Sequence, residues 1–385
     1  MIIEIKGVQF VNKGAELMLH AVLQKLEAYD KEIDIVLAPN ANSSYKERIK
    51  VGGYQKLLLR KKTYDFNGLT YYIPKSVRRW LKNTWGIVTE ADIDVILDAS
   101  GFSYGDQWPS RTIKNTSNEI VRLKNKNKKY IFLPQALGPF NNTTNRELVR
   151  KGFSKASLIC AREKVSFDNT MNAVEDDSNV KLYPDFTNLV KGTIDNNYSD
   201  YANKILIIPN CNMISKRNND SAWKATYIDF LVNSVLTVKE LGFIPVLLNH
   251  EGEEDGEICS QVLELIDGEI DIIKENDPLR VKGIIGSSKA IICSRFHGCV
   301  SALTQGIPCL GTSWSHKYEK LFEEYTRSSY LLSPNITKEE IQQKLMSTIE
   351  TIDNEDYTLK IKEYKVKSEA MWNDIFKVLD EVNNA

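Results

Sequence analysis

Short apolar runs alternate with polar, helix-length segments along almost the whole chain, and this rhythm limits the fold more than any other feature of the sequence. The runs are apolar throughout, which is typical of strands covered on both faces in a parallel sheet. The predicted strands of a first series span residues 2–9, 34–39, 94–100, 130–137, 158–162 and 180–184, and those of a second span 204–208, 243–248, 271–273, 290–293, 308–311 and 330–332. The pattern predicts an α/β protein with two doubly wound Rossmann-type domains.

A polar segment with few apolar side chains, residues 191–200, separates the two series. We therefore predict an N-terminal Rossmann-like domain over residues 1–190 and a C-terminal Rossmann-like domain over residues 200–350. A predicted helix over residues 355–385 follows them. The length of 385 residues agrees with two domains of ordinary size.

Charge and cysteine content exclude several classes of protein. The chain has 50 Lys and Arg against 51 Asp and Glu, so the basic excess of a general nucleic-acid binder is missing and we expect no nucleic-acid partner. The six cysteines are scattered without a Cys-x-x-Cys pair, as expected of reduced thiols. Glu4 interrupts the first apolar run, and no stretch reaches the ~18 apolar residues of a membrane span. These observations predict a cytoplasmic protein.

A basic and aromatic stretch interrupts the first series. Residues 46–82 carry eleven Lys or Arg against two acidic residues, with aromatic side chains interleaved (Tyr54, Tyr71, Tyr72, Trp80 and, just beyond, Trp85). This composition suits peripheral contact with an anionic membrane at the inner face of the cell membrane. It also suits a solvated face on an insertion over residues 46–85, and the sequence leaves both interpretations open.

Ligands of doubly wound sheets bind beyond the carboxyl ends of the strands, so the residues that follow each run are candidate site residues. Loops with glycine or small polar residues follow five of the runs. Their candidates are Asn12 and Gly14; Ser100, Gly101 and Asp106; Gln135; Arg162; and Ser294, Arg295, Phe296 and His297. Gly14 opens a predicted helix over residues 14–29, where free backbone N–H groups favour anions.

Residues 294–297 give the sharpest signal. Arg295 and His297 are two residues apart, so they face the same side of an extended strand end. A guanidinium group offers paired donors to a phosphate or carboxylate, and an imidazole beside it can transfer a proton near pH 7. The residue types also allow a structural role, in which His297 caps a helix over residues 298–305 and Arg295 pairs with a surface acid.

The ordered set of motifs resembles the polysaccharide pyruvyl transferase family from the first strand and loop to about Tyr325. The motifs are Asn12-Lys13-Gly14-Ala15-Glu16-Leu17-Met18, Pro134-Gln135 with Gly138-Pro139, Ala161-Arg162-Glu163 with Ser166, Pro184-Asp185, Asn249-His250 before Glu253-Glu254-Asp255, Ser294-Arg295-Phe296-His297, Gly306-Ile307-Pro308 and Lys317. The resemblance implies a GT-B-like fold whose two Rossmann-type domains face each other across a cleft. It also implies transfer of a pyruvyl group from phosphoenolpyruvate to a sugar of a bacterial-type polysaccharide or its lipid-linked precursor, commonly as a cyclic ketal with release of phosphate.

The residues fit the donor chemistry that the resemblance implies. Phosphoenolpyruvate carries a phosphate and a carboxylate, and we expect Arg162 and Arg295, one from each domain, to hold these groups, with Lys317 as a third cation. His297 is the expected acid and base, which first protonates the methylene carbon. No cluster of His, Asp and Glu has metal-ligand spacing, so we expect no metal and no cofactor besides the donor substrate.

The acceptor side is less defined by the sequence. Asp185 or Asp106 is expected to orient or deprotonate the sugar hydroxyl, although aspartate is also common as a turn or helix cap. His250 and Glu251 stand at a strand end and are expected to line the cleft. Many family members have Asn-x-Gly-Asp where this chain has Ala15, a Gly-Gly-Gly-type loop around Ser100, and Leu in place of Phe296. The first two differences leave the acceptor sugar open.

Two other functions are compatible with the same fold. A GT-B nucleotide-sugar glycosyltransferase commonly has an acidic pair seven residues apart near the end of the second domain, whereas Glu319 is followed eight positions later by Arg327. A non-catalytic subunit of a polysaccharide assembly complex would have no need for Arg162, Arg295 and His297 together. Pyruvyl transfer is therefore the preferred prediction.

Overall fold

The computed structural model describes residues 1–30, 32–62, 64–194, 201–216, 218–315 and 317–384, so residues 195–200 of the predicted linker lie outside the described part. The chain divides into two compact units. The first contains Met1–Phe10, Met18–Phe186 and Lys367–Ala385, and the second contains Val11–Leu17 and Thr187–Val366. Neither unit is a continuous segment of the chain.

Strands and helices alternate through the described residues. The strands are β1 (Ile2–Lys6), β2 (Asp34–Leu37), β3 (Tyr54–Lys56), β4 (Arg60–Lys61), β5 (Tyr64–Asp65), β6 (Ile87–Val88), β7 (Val95–Asp98), β8 (Lys129–Gln135), β9 (Leu158–Ala161), β10 (Val180–Leu182), β11 (Lys204–Ile208), β12 (Ile244–Asn249), β13 (Asp271–Lys274), β14 (Ala290–Cys293) and β15 (Cys309–Gly311). The helices are α1 (Lys13–Tyr29), α2 (Tyr45–Lys50), α3 (Lys75–Trp85), α4 (Ser110–Lys124), α5 (Thr143–Gly152), α6 (Lys164–Met171), α7 (Ser221–Glu240), α8 (Gly252–Glu264), α9 (Pro278–Ser287), α10 (Phe296–Leu303), α11 (Lys317–Glu324), α12 (Lys338–Glu350) and α13 (Glu355–Asn383).

The first unit is built on a parallel sheet of eight strands in the order β10-β9-β8-β7-β1-β2-β3-β6. In its centre, Ile3 of β1 pairs with Ile35 on one side and with Val95 on the other. These strands are apolar and buried because helices cover both faces of a doubly wound sheet. The order reverses between β1 and β7, and this reversal is where such sheets bind ligands.

The second unit has a parallel sheet of five strands in the order β13-β12-β11-β14-β15. Its strand order reverses between β11 and β14, where Leu206 pairs with Ile291. The apolar runs at both positions are fully buried. Two doubly wound α/β units, as the sequence predicts, are therefore confirmed.

Some predicted elements differ from the structure. Residues 330–332 do not form a strand: Ser328–Tyr330 is a 3₁₀ turn, and only Leu331 forms an isolated bridge, with Gly311. The helix predicted over residues 298–305 begins two residues earlier, at Phe296. His297 is therefore not a helix cap but lies in the first turn of α10.

The predicted basic stretch is less exposed than its composition indicates. Lys56 is only 4% exposed, and its Nζ lies 2.6 Å from Glu4 and 3.1 Å from Glu119. Arg48 is also buried and bonds to Gln55. Two of the eleven cations thus belong to the interior. Lys56 is paired there with two carboxylates, whereas Arg48 is held by neutral hydrogen-bond acceptors.

In the described ranges, no helix is long and apolar enough to cross a membrane.

Candidate active site

The strand reversal in the second unit carries a pocket of about 220 Å³. The carboxyl ends of β11, β12 and β14 contribute to it, together with the start of α1 and the segment around α11. Its lining residues are Asn12, Gly14, Asn210, Asn212, His250, Glu251, Arg295, Phe296, His297, Trp314, Lys317 and Tyr318. Eight of these were predicted from the sequence: Asn12, Gly14, His250, Glu251, Arg295, Phe296, His297 and Lys317.

Ser294 fixes the end of β14 and is itself buried. Its Oγ accepts hydrogen bonds from the hydroxyls of Tyr227 and Thr312, both at 2.7 Å. Its carbonyl accepts from Tyr318 Oη and from Asn210 Nδ2, both at 2.8 Å. The predicted substrate contact by Ser294 is therefore replaced by a structural role, because protein donors occupy its oxygens.

Arg295 is the most constrained cation of the pocket. Asp255 accepts from its Nε at 2.7 Å and from its Nη2 at 2.5 Å, and Glu251 accepts from its Nη1. Burial disfavours the charge, but the two carboxylates outweigh it and raise the pKa of Arg295. The paired donor edge that we expected to hold a phosphate or carboxylate is thus already bound by Asp255, and this corrects the prediction for Arg295.

Asp255 is held in place by the backbone around it. It lies in the first turn of α8, where the helix dipole favours a carboxylate, and it is fully buried. Its Oδ1 also accepts from the backbone N–H of Cys211 at 2.9 Å. Asp255 belongs to the acidic motif Glu253-Glu254-Asp255. Its contact with Arg295 could not be predicted from the motif, because forty residues separate the two in the sequence.

His297 lies against the start of α1. A Cβ atom on Gly14 would come within 2.0 Å of Nδ1 and 2.7 Å of Cε1 of the imidazole. On its other side, the Phe296 ring contacts the imidazole edge to face, with 5.4 Å between the ring centroids. The glycine of the first loop and the histidine after β14 are therefore neighbours, although 283 positions separate them.

The first loop is closed by its own hydrogen bonds. Asn12 Oδ1 accepts from the backbone N–H of Ala15 at 2.9 Å, and the Asn12 carbonyl accepts from that of Glu16 at 3.0 Å. Asparagine is a preferred residue for this capping position because its short side chain reaches the free N–H groups of the first turn. Asn12 thus begins α1 and places Gly14 beside the imidazole.

His250 and Glu251 line this pocket and also a neighbouring pocket of about 620 Å³ beside α8. Burial lowers the pKa of His250 to about 3, and the charges of Arg295, His297 and Lys13 act in the same direction. His250 is therefore neutral at physiological pH. Burial also raises the pKa of Glu251, although Arg295 opposes this.

Lys317 stands within a ring of aromatic side chains at the start of α11. Its Nζ lies 4.8 Å from the centroid of Phe296, 5.2 Å from that of Trp314 and 5.6 Å from that of Tyr318. Electron-rich ring faces attract an ammonium group and hold it in position. Sequence reasoning found Lys317 and missed Trp314 and Tyr318, because an aromatic residue between serine, lysine and glutamate has no pattern specific to a binding site.

The comparison with protein families decides the identity. The model of the family described as polysaccharide pyruvyl transferase matches residues 12–316. This range includes every lining residue of the pocket except Lys317 and Tyr318. The chain belongs to the polysaccharide pyruvyl transferase family. It is therefore a transferase. A comparison with curated protein sequences returns no match.

Solved structures with the same fold include enzymes that act on nucleotide sugars. A UDP-GlcNAc 2-epimerase from Neisseria meningitidis bound to UDP-GlcNAc is 12% identical with a TM-score of 0.60, over 98% of this chain and 99% of that chain. A glycosyltransferase from Rickettsia africae is 13% identical with a TM-score of 0.56, over 99% and 98%. A UDP-GlcNAc 2-epimerase from Methanocaldococcus jannaschii is 10% identical with a TM-score of 0.54, over 99% and 100%. The fold of the transferase is GT-B-like.

The predicted residues of the first unit follow its own strand ends. Ser100 and Gly101 come directly after β7, and the Ser100 hydroxyl donates to Asp98. Gln135 ends β8, is fully buried, and donates from Nε2 to the Asp98 carbonyl at 3.1 Å. These three candidates of the transferase therefore share one strand-end region around Asp98.

Arg162 and Asp185 form an ion pair in the first unit. Arg162 Nη1 lies 3.6 Å from Asp185 Oδ2, and each side chain is 10% exposed. The backbone N–H of Arg162 donates to the Gln135 carbonyl at 3.1 Å, which joins this pair to the end of β8. Their roles toward a substrate of the transferase remain predictions.

The carboxylate of Asp106 is occupied by hydrogen bonds from a neighbouring loop and helix. Its carboxylate accepts from the backbone N–H groups of Asn141 and Asn142 and from Asn145 Nδ2. Burial alone would raise the pKa of Asp106, but the three hydrogen bonds together outweigh burial and lower the pKa below its ordinary value. Asp106 therefore caps the loop and the start of α5. Asp185 is the remaining candidate for the carboxylate that orients or deprotonates the sugar hydroxyl.

Proposed function

We propose that the enzyme transfers the pyruvyl group of phosphoenolpyruvate to a sugar of a bacterial-type polysaccharide or its lipid-linked precursor, and forms a pyruvate ketal. The family supports a saccharide acceptor and a pyruvyl donor. The observation that carries the proposal is the pocket in which His297 stands beside the cations Arg295 and Lys317. An anionic donor needs those positive charges, and its methylene carbon needs a proton source.

The donor binds in the pocket of the second unit in this proposal. Lys317 supplies a positive charge whose position is fixed by three aromatic rings. The N-terminus of α10 begins at Phe296 and adds its positive dipole end. Arg295 contributes its charge through the field of the pocket, because Asp255 and Glu251 already hold its N–H groups.

The reaction follows from proton transfer at His297. Its imidazolium protonates the methylene carbon, the adjacent carbon becomes electrophilic, and a sugar hydroxyl adds to it and loses its own proton to a base. The C–O bond to phosphate then breaks and inorganic phosphate leaves. A second hydroxyl of the sugar adds to the same carbon and gives its proton to the neutral imidazole of His297, which closes the ketal ring and restores the imidazolium. Asp185 is the proposed base or orienting group for the hydroxyl, and no metal or further cofactor is part of the proposal.

The place of action is part of the same proposal. A lipid-linked acceptor lies in a membrane surface, so the enzyme works in the cytoplasm at the inner face of the cell membrane. Nucleic acid has no part in it. The acceptor's sugar is left open, since the loops around Ala15 and Ser100 differ from those of many family members.

The test is incubation of the protein with phosphoenolpyruvate and a panel of polysaccharide fragments and lipid-linked saccharides. We expect release of inorganic phosphate and a product heavier than the acceptor by one pyruvic acid less one water. The matched control is His297→Gln, which should reduce turnover by ~10²–10⁴-fold. Release of a nucleoside diphosphate from a nucleotide sugar, with no binding of phosphoenolpyruvate, would instead support a glycosyltransferase, which the structural neighbour from Rickettsia africae makes the second candidate.

A further inference from the structure

Helix α3 is attached to the first unit by its charged side. None of its eleven residues is buried. Arg78 forms an ion pair with Asp92 and donates from Nε to the Ile73 carbonyl at 3.1 Å, and Lys82 forms an ion pair with Asp34. These cations, four residues apart, lie on the same side of the helix and bind it to the rest of the unit.

The apolar side of α3 faces solvent. Trp80 is 55% exposed, Trp85 is 58% exposed and Val77 is 43% exposed. The two indole rings contact each other edge to face, with 6.4 Å between their centroids. An amphipathic helix of a globular protein normally buries its apolar side. In α3 this arrangement is reversed, so its apolar side can bind a partner outside the first unit.

The exposed apolar surface continues into the turn that precedes α3. The large exposed side chains there are Tyr64, Phe66, Leu69 and Tyr72. Tyr72 is 85% exposed and stands three residues before the helix. We call these residues together with Val77, Trp80 and Trp85 the aromatic surface. Large exposed apolar side chains gathered in one segment in this way are typical of interaction sites.

Residues 46–82, which contain most of the aromatic surface, carry a net positive charge. The exposed cations Lys61, Lys62, Lys75 and Arg79 form no ion pair with a described residue. The two acidic residues of the segment are already neutralised, Glu47 by Lys50 and Asp65 by Arg122. A partner of the aromatic surface therefore has to be anionic at its boundary and apolar a short distance inside.

We propose that the aromatic surface docks the enzyme on an anionic phospholipid membrane, with Trp80 and Trp85 at the level of the headgroups. Tryptophan favours this layer because its ring is apolar and its N–H is polar. Each Lys or Arg near an anionic leaflet adds about fivefold to the partitioning. The inference rests on the proposed place of action at the membrane and assigns the surface that binds there. It can fail while pyruvyl transfer on a water-soluble acceptor stands.

The test is flotation of the full-length protein with phosphatidylglycerol vesicles and with phosphatidylcholine vesicles at low salt. We expect binding to the anionic vesicles at least ~10-fold stronger than to the neutral ones. Trp80→Ala with Trp85→Ala should weaken it at least ~10-fold, and Lys75→Glu with Arg79→Glu should do the same. All four residues are exposed, so circular dichroism and melting should match the wild type.

Matched controls change exposed residues elsewhere. Leu265→Ala with Leu359→Ala removes apolar side chains that are 60% exposed, and Lys151→Glu with Lys155→Glu reverses two exposed cations of the first unit. Both pairs should leave vesicle binding unchanged.

Three outcomes would overturn the proposal. The first is a wild type that does not float with anionic vesicles at low salt. The second is binding that salt weakens but that the Trp80 and Trp85 variants leave intact, because the charge then acts without the aromatic surface. The third is a dimer in analytical ultracentrifugation that the same tryptophan variants dissociate, because a second copy then covers the surface.

Discussion

Gly14 and His297 are packed so closely that no side chain fits at position 14. A Cβ atom there would stand 2.0 Å from Nδ1 of the imidazole, well below any real contact. Gly14 is the second residue of α1, so an alanine would suit the helix better by ~1 kcal/mol if space were available. The glycine is therefore required by the histidine, and the start of α1 sets where the imidazole stands.

Gly14→Ala should lower kcat by at least ~10-fold, because the imidazole has to move away from the position that serves proton transfer. Phosphate release under saturating phosphoenolpyruvate measures it. In a His297→Gln background the same alanine should cost little further, since the two residues act as one unit. Full activity of the single variant would mean that the position of the imidazole is not set by α1.

Asp255→Asn should weaken the binding of phosphoenolpyruvate and lower the melting temperature. Removing one partner of a buried ion pair costs about 3–5 kcal/mol, because Arg295 remains buried without its carboxylate. Glu253→Gln is the control, since Glu253 lies on the same helix and is exposed. Calorimetric titration well below the melting temperature separates the two effects: a folded variant with wild-type affinity would show that Asp255 only stabilises the unit.

Arg162→Lys and Arg295→Lys keep the charge and lose the planar paired donors. Arg162→Lys should therefore bind phosphoenolpyruvate roughly ten- to hundredfold more weakly. Arg295→Lys should change this affinity little, because Asp255 and Glu251 already hold the N–H groups of Arg295 and only its charge acts on the donor. Arg150→Lys is the control, because that side chain is 60% exposed. The Arg295 variant should also melt earlier, since it loses two hydrogen bonds to Asp255. An unchanged affinity in the Arg162 variant would remove Arg162 from donor binding.

Acid should destabilise the protein through His250. Burial lowers the pKa of this imidazole to about 3 in the folded protein, whereas a histidine of the unfolded chain titrates near ~6.5. Between these values the unfolded chain takes up a proton that the folded protein does not. The free energy of unfolding should therefore fall as the pH drops below ~6.5, by about 1.4 kcal/mol per pH unit. Denaturant unfolding of wild type and His250→Gln measures this, and the same pH slope in both would assign it to other groups.

The fold was predictable from the sequence because strands that are buried on both faces of a parallel sheet are continuous apolar runs. Eleven of the twelve predicted runs contain a strand, from Ile2–Lys6 to Cys309–Gly311. The exception, residues 330–332, has the composition of a strand, but Leu331 contributes only a single bridge to Gly311. A run of three apolar residues is too short to distinguish a strand from a buried turn.

The site was predictable where a residue follows its own strand. His297 and Glu251 were found in this way, and both line the pocket. The function of Arg295 was misjudged because its partner Asp255 is distant in the sequence and close only after folding. Asp106 shows the converse error: an aspartate in a glycine-rich loop looks like a base, while its oxygens bind the backbone of residues 141 and 142.

Helix α13 contributes to the core of the first unit, so the order of synthesis affects when that core can form. Trp372, Ile375 and Leu379 of α13 are buried, and Trp372 meets Phe186 edge to face with 6.4 Å between the centroids. They belong to the first unit, so its core lacks these side chains while the ribosome makes residues 187–366 of the second unit. The core of the nascent first unit is consequently incomplete until residues 367–385 have been made, and a chain cut after residue 190 lacks part of that core.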